Sequence, residues 1–116
     1  MKGLVIVSKF WTGFFSAHRA EAVTIFPFIF VRSRQLQQDS VLLNHERIHL
    51  AQALELLVIP FYIWYVLEFL WHYLQYRNFD KAYRQIRFER EAYHYEKNLN
   101  YLQRRKRWAV FRRSRP

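Results

Sequence analysis

The N-terminal third of the chain carries short apolar runs separated by polar connections, a pattern typical of β-strands. Residues 3–7 (GLVIV) form one β-branched run, and residues 23–32 (VTIFPFIFVR) form a second, longer one. Pro27 has no amide hydrogen, so a strand that runs through it must lie at a sheet edge or carry a bulge there. We therefore expect a short N-terminal β-hairpin or strand pair.

From residue 41 onward, apolar positions recur with helical spacing almost to the end of the chain. Asp39 or Ser40 supplies an N-cap, Pro60 disfavours helix at the residue before it, and YRNFD (76–80) suits a turn and a second cap. Three helices are predicted, at about residues 40–58, 61–76 and 80–104, with a chain reversal near Pro60. The predicted fold class is mainly α (α+β), with a single domain at 1–103 and a basic aromatic tail at 104–116.

Charge and composition indicate the kind of partner. The 116 residues include nineteen Lys and Arg against nine Asp and Glu, which gives a net charge of +10, and 20% are aromatic. The absence of cysteine excludes disulfides and thiolate metal sites. The positive charge predicts an anionic partner. Because Trp and Tyr favour the headgroup region, an anionic membrane is the first expectation and nucleic acid the second.

The segment LLNHERIHLAQ contains the motif His45-Glu46-x-x-His49. On a helix, residues four apart lie on one face, so both imidazoles can reach a single Zn²⁺ at about 2.0–2.1 Å. Glu46 lies about 100° further round the helix, where it can act as a general base rather than as a ligand. The alternative is structural: His45 and Glu46 would be surface residues and His49 a buried polar residue.

Zinc held by two histidines usually takes a carboxylate as well and leaves the fourth position open. Glu55 lies six residues beyond His49 on the same predicted helix and should point elsewhere, and Glu68 is expected to pair with His72 four residues on. The remaining candidates lie in one segment, RFEREAYHYE, and they are Glu89, Glu91 and Glu96.

This combination resembles the gluzincins, zinc peptidases with HExxH on one helix and a glutamate ligand on a later one. It is most similar to two membrane-associated branches, the CAAX-processing peptidases and the antirepressor peptidases of β-lactam sensing, whose later helix carries a pattern like E-x-x-A-D. Alignment of FEREAY on Ala92 implies Glu89 as the third ligand beside His45 and His49. It also implies Glu46 as the base.

One position departs from that pattern. The family's Asp, four residues after the ligand, orients a zinc-bound imidazole, and here Tyr93 takes its place. A phenol can accept a hydrogen bond from an imidazole N–H but lacks the carboxylate's charge. His94 or Glu91 is the expected substitute. The competing interpretation makes Glu89 and Glu91 a solvated helix face that pairs with neighbouring arginines.

Residues 53–74 are apolar enough to suggest a membrane span, but two glutamates and a histidine make it a poor one. A span would also separate the ligands. A reversal at Pro60 instead gives helices that run about 30 Å down, about 24 Å back and about 15 Å down again to Glu89. Glu89 then arrives at nearly the depth of His49, so only the reversal allows the site to close.

The reversal also leaves a tip without charge, LLVIPFYIW (56–64). We expect the seven Lys and Arg of residues 104–116 to hold lipid headgroups and the side chains of the tip to enter an anionic membrane: Leu57, Val58, Ile59, Phe61, Tyr62 and Trp64. This predicts a membrane-associated protein on the cytoplasmic face of the inner membrane. The alternatives are a tip buried in protein and a solvated tail.

Two functions from different classes follow. The first is a zinc-dependent metallopeptidase, docked on a membrane, whose peptide or protein substrate adds as an extended strand beside residues 23–32. The second is a non-catalytic basic protein that binds membrane or nucleic acid, with a structural metal or none. A zinc content near one per chain would favour the first.

Overall fold

The computed structural model describes residues 3–16 and 21–111, and it confirms the mainly α (α+β) fold. In chain order the elements are β1 (Leu4–Val7), α1 (Lys9–Ser16), β2 (Ala22–Ile25), β3 (Phe28–Val31), α2 (Ser40–Glu55), α3 (Ile59–Tyr76), α4 (Phe79–Gln85), α5 (Arg87–Tyr95) and α6 (Tyr101–Arg104). Two 3₁₀ turns, Leu36–Gln38 and Ala109–Phe111, complete the described chain.

The sheet has three strands in the order β1-β3-β2, with β1 parallel and β2 antiparallel to β3. The prediction of one strand over residues 23–32 is wrong, because Phe26 and Pro27 form a turn between β2 and β3. The apolar pattern runs unbroken through this turn and therefore hides it. The Tyr62 hydroxyl fixes the turn onto α3: it accepts a hydrogen bond from the Phe26 N–H at 3.0 Å and donates to the Thr24 carbonyl at 2.9 Å.

Helix α2 begins as predicted and ends early. Asp39 is the confirmed N-cap, since its carboxylate accepts from the Leu42 N–H at 3.1 Å. The helix ends at Glu55, three residues before the predicted end at residue 58. Leu57 and Val58, which follow it, have positive φ values of 60° and 45°. The chain then turns by 115° into α3. Among the described helices, none alone is long and apolar enough to cross a membrane; α2 and α3 pass that test only as a bent pair.

The predicted third helix, 80–104, is instead three helices. Asn78 caps α4 by accepting from the Lys81 N–H at 3.1 Å, but α4 ends at Gln85, and Ile86 is extended with ψ at 130°. No Pro or Gly marks this break. The cap of α5 comes from a distant residue: Glu68 on α3 accepts from the Arg87 N–H at 2.9 Å and from the Arg87 Nε at 2.5 Å. The change of direction at Ile86 lets α5 pack against α2.

Helix α2 lies at the centre of the domain and contributes to three apolar clusters. Leu43 and Leu50 pack on the sheet, Ala53 packs with residues of α3 and α5, and Ile48 packs with residues of α5 and α6. Because the apolar residues of α2 are spread around the helix, its polar residues are enclosed as well. The polar face toward α5 forms the site described below.

The tip of the predicted reversal is only partly exposed. Leu57 is 76% exposed, but Phe61 is 2% exposed and packs with Phe88 in the core, at a ring-centroid distance of 4.7 Å. The expectation that Phe61 enters a membrane is therefore wrong. The first turn of α3 carries apolar residues all round the helix, and the sequence pattern does not show which of them the core takes.

Part of the basic tail belongs to the body of the domain. The Arg105 guanidinium is buried and bonds to Glu91 at 2.6 Å and Glu55 at 2.9 Å. Val110 lies in the cluster around Phe61. The packed body therefore continues past residue 103 to Phe111, and residues 112–116 lie outside the described part of the chain.

Arg77 ends α3 in the left-handed conformation, with φ 54° and ψ 28°. This conformation strains any residue with a Cβ, so Arg77→Gly should stabilise the fold by about 0.5–1 kcal/mol. Thermal and urea unfolding would measure the gain. Arg77→Ala is the matched control, because it removes the same charge but keeps the Cβ. An equal gain from both variants would assign the effect to charge instead.

Candidate metal centre

His45 and His49 lie one turn apart on α2, as the spacing predicted, and both are 5% exposed. Their rings are 5.0 Å apart between centroids. The helix is held at this place because Asn44 donates to the carbonyls of Glu96 and Asn98, at 2.8 and 3.0 Å, at the end of α5. The face with both imidazoles is thereby fixed against α5.

Glu89 on α5 meets both histidines. Its Oε1 lies 3.0 Å from His45 Nε2, and its Oε2 lies 3.1 Å from His49 Nε2. One ligand atom from each of the three residues lies within 4.8 Å of the others. The structure thus brings together the three residues that the motif and the resemblance indicated.

The spacing of these atoms fits a zinc ion. Bonds of about 2.0–2.1 Å in a tetrahedron place neighbouring ligand atoms about 3.3 Å apart, close to the two distances above. His49 Nε2 is buried and, among the described residues, has no hydrogen-bond partner. The nearby Glu89 Oε2 lies at ion-pair distance, 3.1 Å from it. A lone pair aimed at a shared ion fits this geometry.

The outer nitrogen of each imidazole has a hydrogen-bond acceptor. His45 Nδ1 lies 2.9 Å from Glu96 Oε1, and His49 Nδ1 lies 2.9 Å from Gln52 Oε1. Since these oxygens accept, each Nδ1 carries the hydrogen and each Nε2 is left to bind a metal. Such outer partners set the tautomer and raise the basicity of metal ligands.

Glu96 therefore has the role that was expected for His94 or Glu91. Tyr93, four residues after Glu89, contacts the His45 ring edge-on at 4.5 Å between centroids. His94 is exposed, with its ring against Tyr95. Glu96 follows Glu89 by seven residues, two helical turns, so it lies on the same side of α5. That spacing was the available signal.

Glu96→Gln should weaken zinc binding about 10- to 100-fold, as is usual when an outer partner of a ligating histidine is lost. An amide oxygen accepts the same hydrogen bond without the negative charge. A competition titration against a chromophoric chelator measures the affinity. Glu21→Gln, at an exposed carboxylate at the start of β2, is the matched control and should bind as the unchanged protein does. Unaltered affinity in Glu96→Gln would remove Glu96 from the centre.

Glu91 faces away from the histidines although it is only two residues from Glu89. Its carboxylate accepts from Tyr101, Arg105 and the Gln52 Nε2, at 2.5, 2.6 and 2.9 Å. Gln52 also donates to the Phe88 carbonyl at 3.0 Å, which turns its Oε1 toward His49. Glu91 thus helps to orient the Gln52 amide, which in turn orients the His49 imidazole.

The other two candidate glutamates have different partners. Glu55 accepts from Arg105 at 2.9 Å and from the Trp108 N–H at 2.6 Å. Glu68 caps α5, and its nearest approach to His72 is 3.9 Å, so the predicted Glu68–His72 pair is the weaker of its contacts. Neither belongs to the metal cluster.

The charges of the cluster favour a bound cation. Burial, the largest influence, by itself lowers the pKa of His49, but the adjacent carboxylate of Glu89, with Glu46 and Gln52, raises that pKa to about 9. Burial likewise tends to raise the pKa of Glu89, and the two imidazoles reverse this and lower it well below its usual range. In the metal-free protein the pair is therefore an imidazolium and a carboxylate. A metal ion would replace that proton.

Glu46 lies beside the cluster and outside the ligand set. It is 6% exposed, and its Oε1 accepts from the Thr24 hydroxyl at 2.8 Å, which links the motif helix to β2. Its negative charge contributes to the raised pKa values of His49, Tyr65 and Tyr83. Thr24 gave no signal in the sequence, because it appears there as an ordinary strand residue.

Two phenols complete the surroundings. The Tyr65 hydroxyl donates to Glu89 Oε2 at 2.5 Å, and the charge of Glu89 also acts on Tyr83. Burial first, and then the charge of Glu89, raises the pKa of both phenols, so both stay protonated hydrogen-bond donors at neutral pH. The sequence contains too many tyrosines to single out these two.

The centre is closed toward solvent. His45, His49 and Glu46 are 5–6% exposed and Glu89 is 2% exposed, so an ion fits more easily than a polypeptide does. Comparisons with protein-family models, with curated proteins and with solved structures found no match to this chain.

Proposed function

We propose that this protein is a zinc-dependent metallopeptidase that works at a membrane surface. One observation carries the proposal: the Nε2 atoms of His45 and His49 and the carboxylate of Glu89 converge, with Glu46 beside them. The centre combines two imidazoles, one carboxylate ligand and a second, non-ligating carboxylate. This donor set is typical of catalytic rather than closed structural zinc sites.

His45, His49 and Glu89 would hold the ion, and their outer hydrogen bonds would keep both imidazoles in the ligating tautomer. When bound, zinc would polarise the scissile carbonyl and acidify the attacking water. Glu46 would accept the proton of that water and transfer it to the leaving amine. The Thr24 hydroxyl holds one oxygen of Glu46, so proton transfer would use the other oxygen.

Tyr65 and Tyr83 are the candidates to stabilise the negative charge that develops on the carbonyl oxygen. Tyr65 donates to Glu89, the charge of Glu89 raises the pKa of Tyr83, and neutral O–H groups stabilise developing negative charge in a water-excluded site.

An extended peptide would add to the edge of β2 that faces away from β3, the one described strand with which β2 pairs; Ala22 and Thr24 are buried there, so this edge would first have to be uncovered. Tyr62 already takes the Thr24 carbonyl and the Phe26 N–H at one end of this edge. The part left for a substrate is the end near Ala22. Backbone pairing there gives affinity with little dependence on side chains.

The burial of the centre favours a second candidate, a non-catalytic protein with a structural metal. Side chains that are at most 6% exposed give a substrate little access unless the surrounding elements open. In that case the basic surface would bind lipid or nucleic acid and the metal would hold α2 to α5.

The test is hydrolysis of unstructured peptides. Zinc-loaded protein, in the presence of anionic vesicles, is incubated with a library of peptides from a digested proteome, and new termini are identified by mass spectrometry. The peptidase produces termini that Glu46→Gln does not produce. Full zinc content without new termini supports the structural metal.

A further inference from the structure

Helix α3 presents an unbroken apolar face to the outside of the molecule. We name this face the outer stripe: Ile63, Val66, Leu67, Leu70, Trp71 and Leu74. These side chains are 49–62% exposed, and their spacing of three and four residues places them on one side of the helix. The stripe is about 17 Å long and contains no polar side chain.

The opposite side of α3 is fixed to the domain, so the stripe has a defined orientation. Phe61, Tyr65 and Phe69 pack into the cluster with Phe88, and Phe69 also contacts Phe79 of α4 at 5.0 Å between ring centroids. A rotation of α3 that hid the stripe would expose these residues. Large exposed apolar faces of this kind usually mark a surface that binds something.

The only carboxylate of α3 does not oppose contact with an anionic surface. Glu68, at the margin of the stripe, accepts from the Trp64 Nε1 at 2.6 Å and pairs with Arg87 at 2.5 Å. Its charge is therefore balanced within the fold. The Arg87 guanidinium also lies 5.2 Å from the centre of the Trp64 ring.

Exposed cations lie at the C-terminal end of α3. Arg77 caps the helix, and the Lys81 ammonium lies 4.4 Å from the centre of the Tyr76 ring. Together with Trp71 in the stripe, they reproduce the arrangement of an interfacial helix, with an apolar face, aromatic residues and flanking cations. The net charge of +10 acts in the same direction.

We infer that the outer stripe docks on an anionic lipid bilayer, with α3 parallel to the membrane plane and its apolar side chains at the boundary of headgroups and acyl chains. A second copy of this chain fits the stripe less well. Pairing would bring two molecules of charge +10 together, and charges of one sign oppose association.

The test is flotation with vesicles of 30% phosphatidylserine in phosphatidylcholine at low salt. The full chain should float with these vesicles, less with pure phosphatidylcholine, and less in 0.5 M NaCl, because salt screens the charge contribution. The triple variant Leu67→Gln, Leu70→Gln and Leu74→Gln should lose at least tenfold in partition coefficient. All three positions are exposed, so the variant should fold, and circular dichroism checks this.

The matched control places the same change at three exposed leucines elsewhere: Leu4→Gln, Leu54→Gln and Leu99→Gln. It should float as the unchanged chain does. Equal loss in both triple variants, or no loss in the stripe variant, overturns the inference. The inference is also overturned if light scattering shows that the unchanged chain and the control are dimers and that the stripe variant is a monomer, because the stripe is then covered by a second copy. Flotation does not depend on catalysis, so this result and that for the peptidase can fail separately.

Discussion

Glu46→Gln is expected to lower peptide hydrolysis by about 10²- to 10⁴-fold, the usual contribution of a general acid–base group, with zinc content unchanged. Glutamine preserves the shape of the side chain. Its carbonyl can accept the hydrogen bond that the Thr24 hydroxyl donates to Glu46 Oε1, at 2.8 Å, in the unchanged protein. An amide, however, does not accept a proton from water near neutral pH. The three ligand atoms belong to other residues, so the ion should stay in place.

Two measurements on the same sample decide this prediction: zinc by mass spectrometry and the rate at which new peptide termini form. Glu96→Gln is the matched control, because it neutralises another carboxylate of the centre that is not a ligand. At saturating zinc it should keep most of its activity. If Glu46→Gln loses zinc together with activity, Glu46 holds the centre together instead. If it keeps full activity, the proposed mechanism is wrong.

The two histidines that meet at the centre could be predicted because their relation depends on short-range spacing, and the third ligand, Glu89, came from the resemblance. The four-residue interval fixed the relation of His45 to His49, and the same periodicity separates Glu89 from Glu91 by about 200°. Asp39 was predictable as a cap for the same reason: a cap acts on residues within one turn. Such relations hold inside one element and need no knowledge of the tertiary fold.

The breaks in the chain were predicted less well, because distant residues make them. The end of α4 at Ile86 depends on Glu68, which supplies the cap of α5 from another helix. The turn at Pro27 depends on Tyr62, which bonds to the backbone on both sides of it. No local pattern shows either partner. In both cases a side chain satisfies backbone groups that regular structure leaves open.

The same limit applies to the surroundings of the metal centre. Thr24 and Glu96 lie outside α2 and reach the motif only when α2 packs between the sheet and α5, whereas Gln52 lies three residues after His49 on α2 itself. The resemblance located the orienting group at Tyr93, four residues after the ligand. In this chain the carboxylate beside His45 Nδ1 belongs to Glu96. Glu96 lies seven residues after Glu89, one turn beyond Tyr93.

Glu89→Gln should mainly weaken zinc binding and Glu91→Gln should mainly destabilise the fold, although both variants neutralise buried carboxylates only two residues apart. Glu89 lies 3.0 and 3.1 Å from the two Nε2 atoms, so its loss should weaken zinc binding more than about 100-fold, beyond the effect of an outer partner. His45→Ala and His49→Ala should do the same. Metal-free Glu89→Gln should still fold, because His49 can lose its proton once the carboxylate is gone, whereas Arg105 cannot lose its charge.

Glu91→Gln should instead destabilise the metal-free protein by about 3 kcal/mol, because breaking a buried ion pair leaves a buried charge short of its partner. Arg105, whose side chain is 5% exposed, would retain Glu55 alone. The neutral amide still offers an oxygen to Gln52, so zinc should bind within about tenfold of the normal affinity. Urea unfolding in the presence of a chelator measures the first effect, and competition titration with zinc measures the second. A larger loss of zinc affinity in Glu91→Gln than in Glu89→Gln would contradict the assignment of Glu89 as the third ligand.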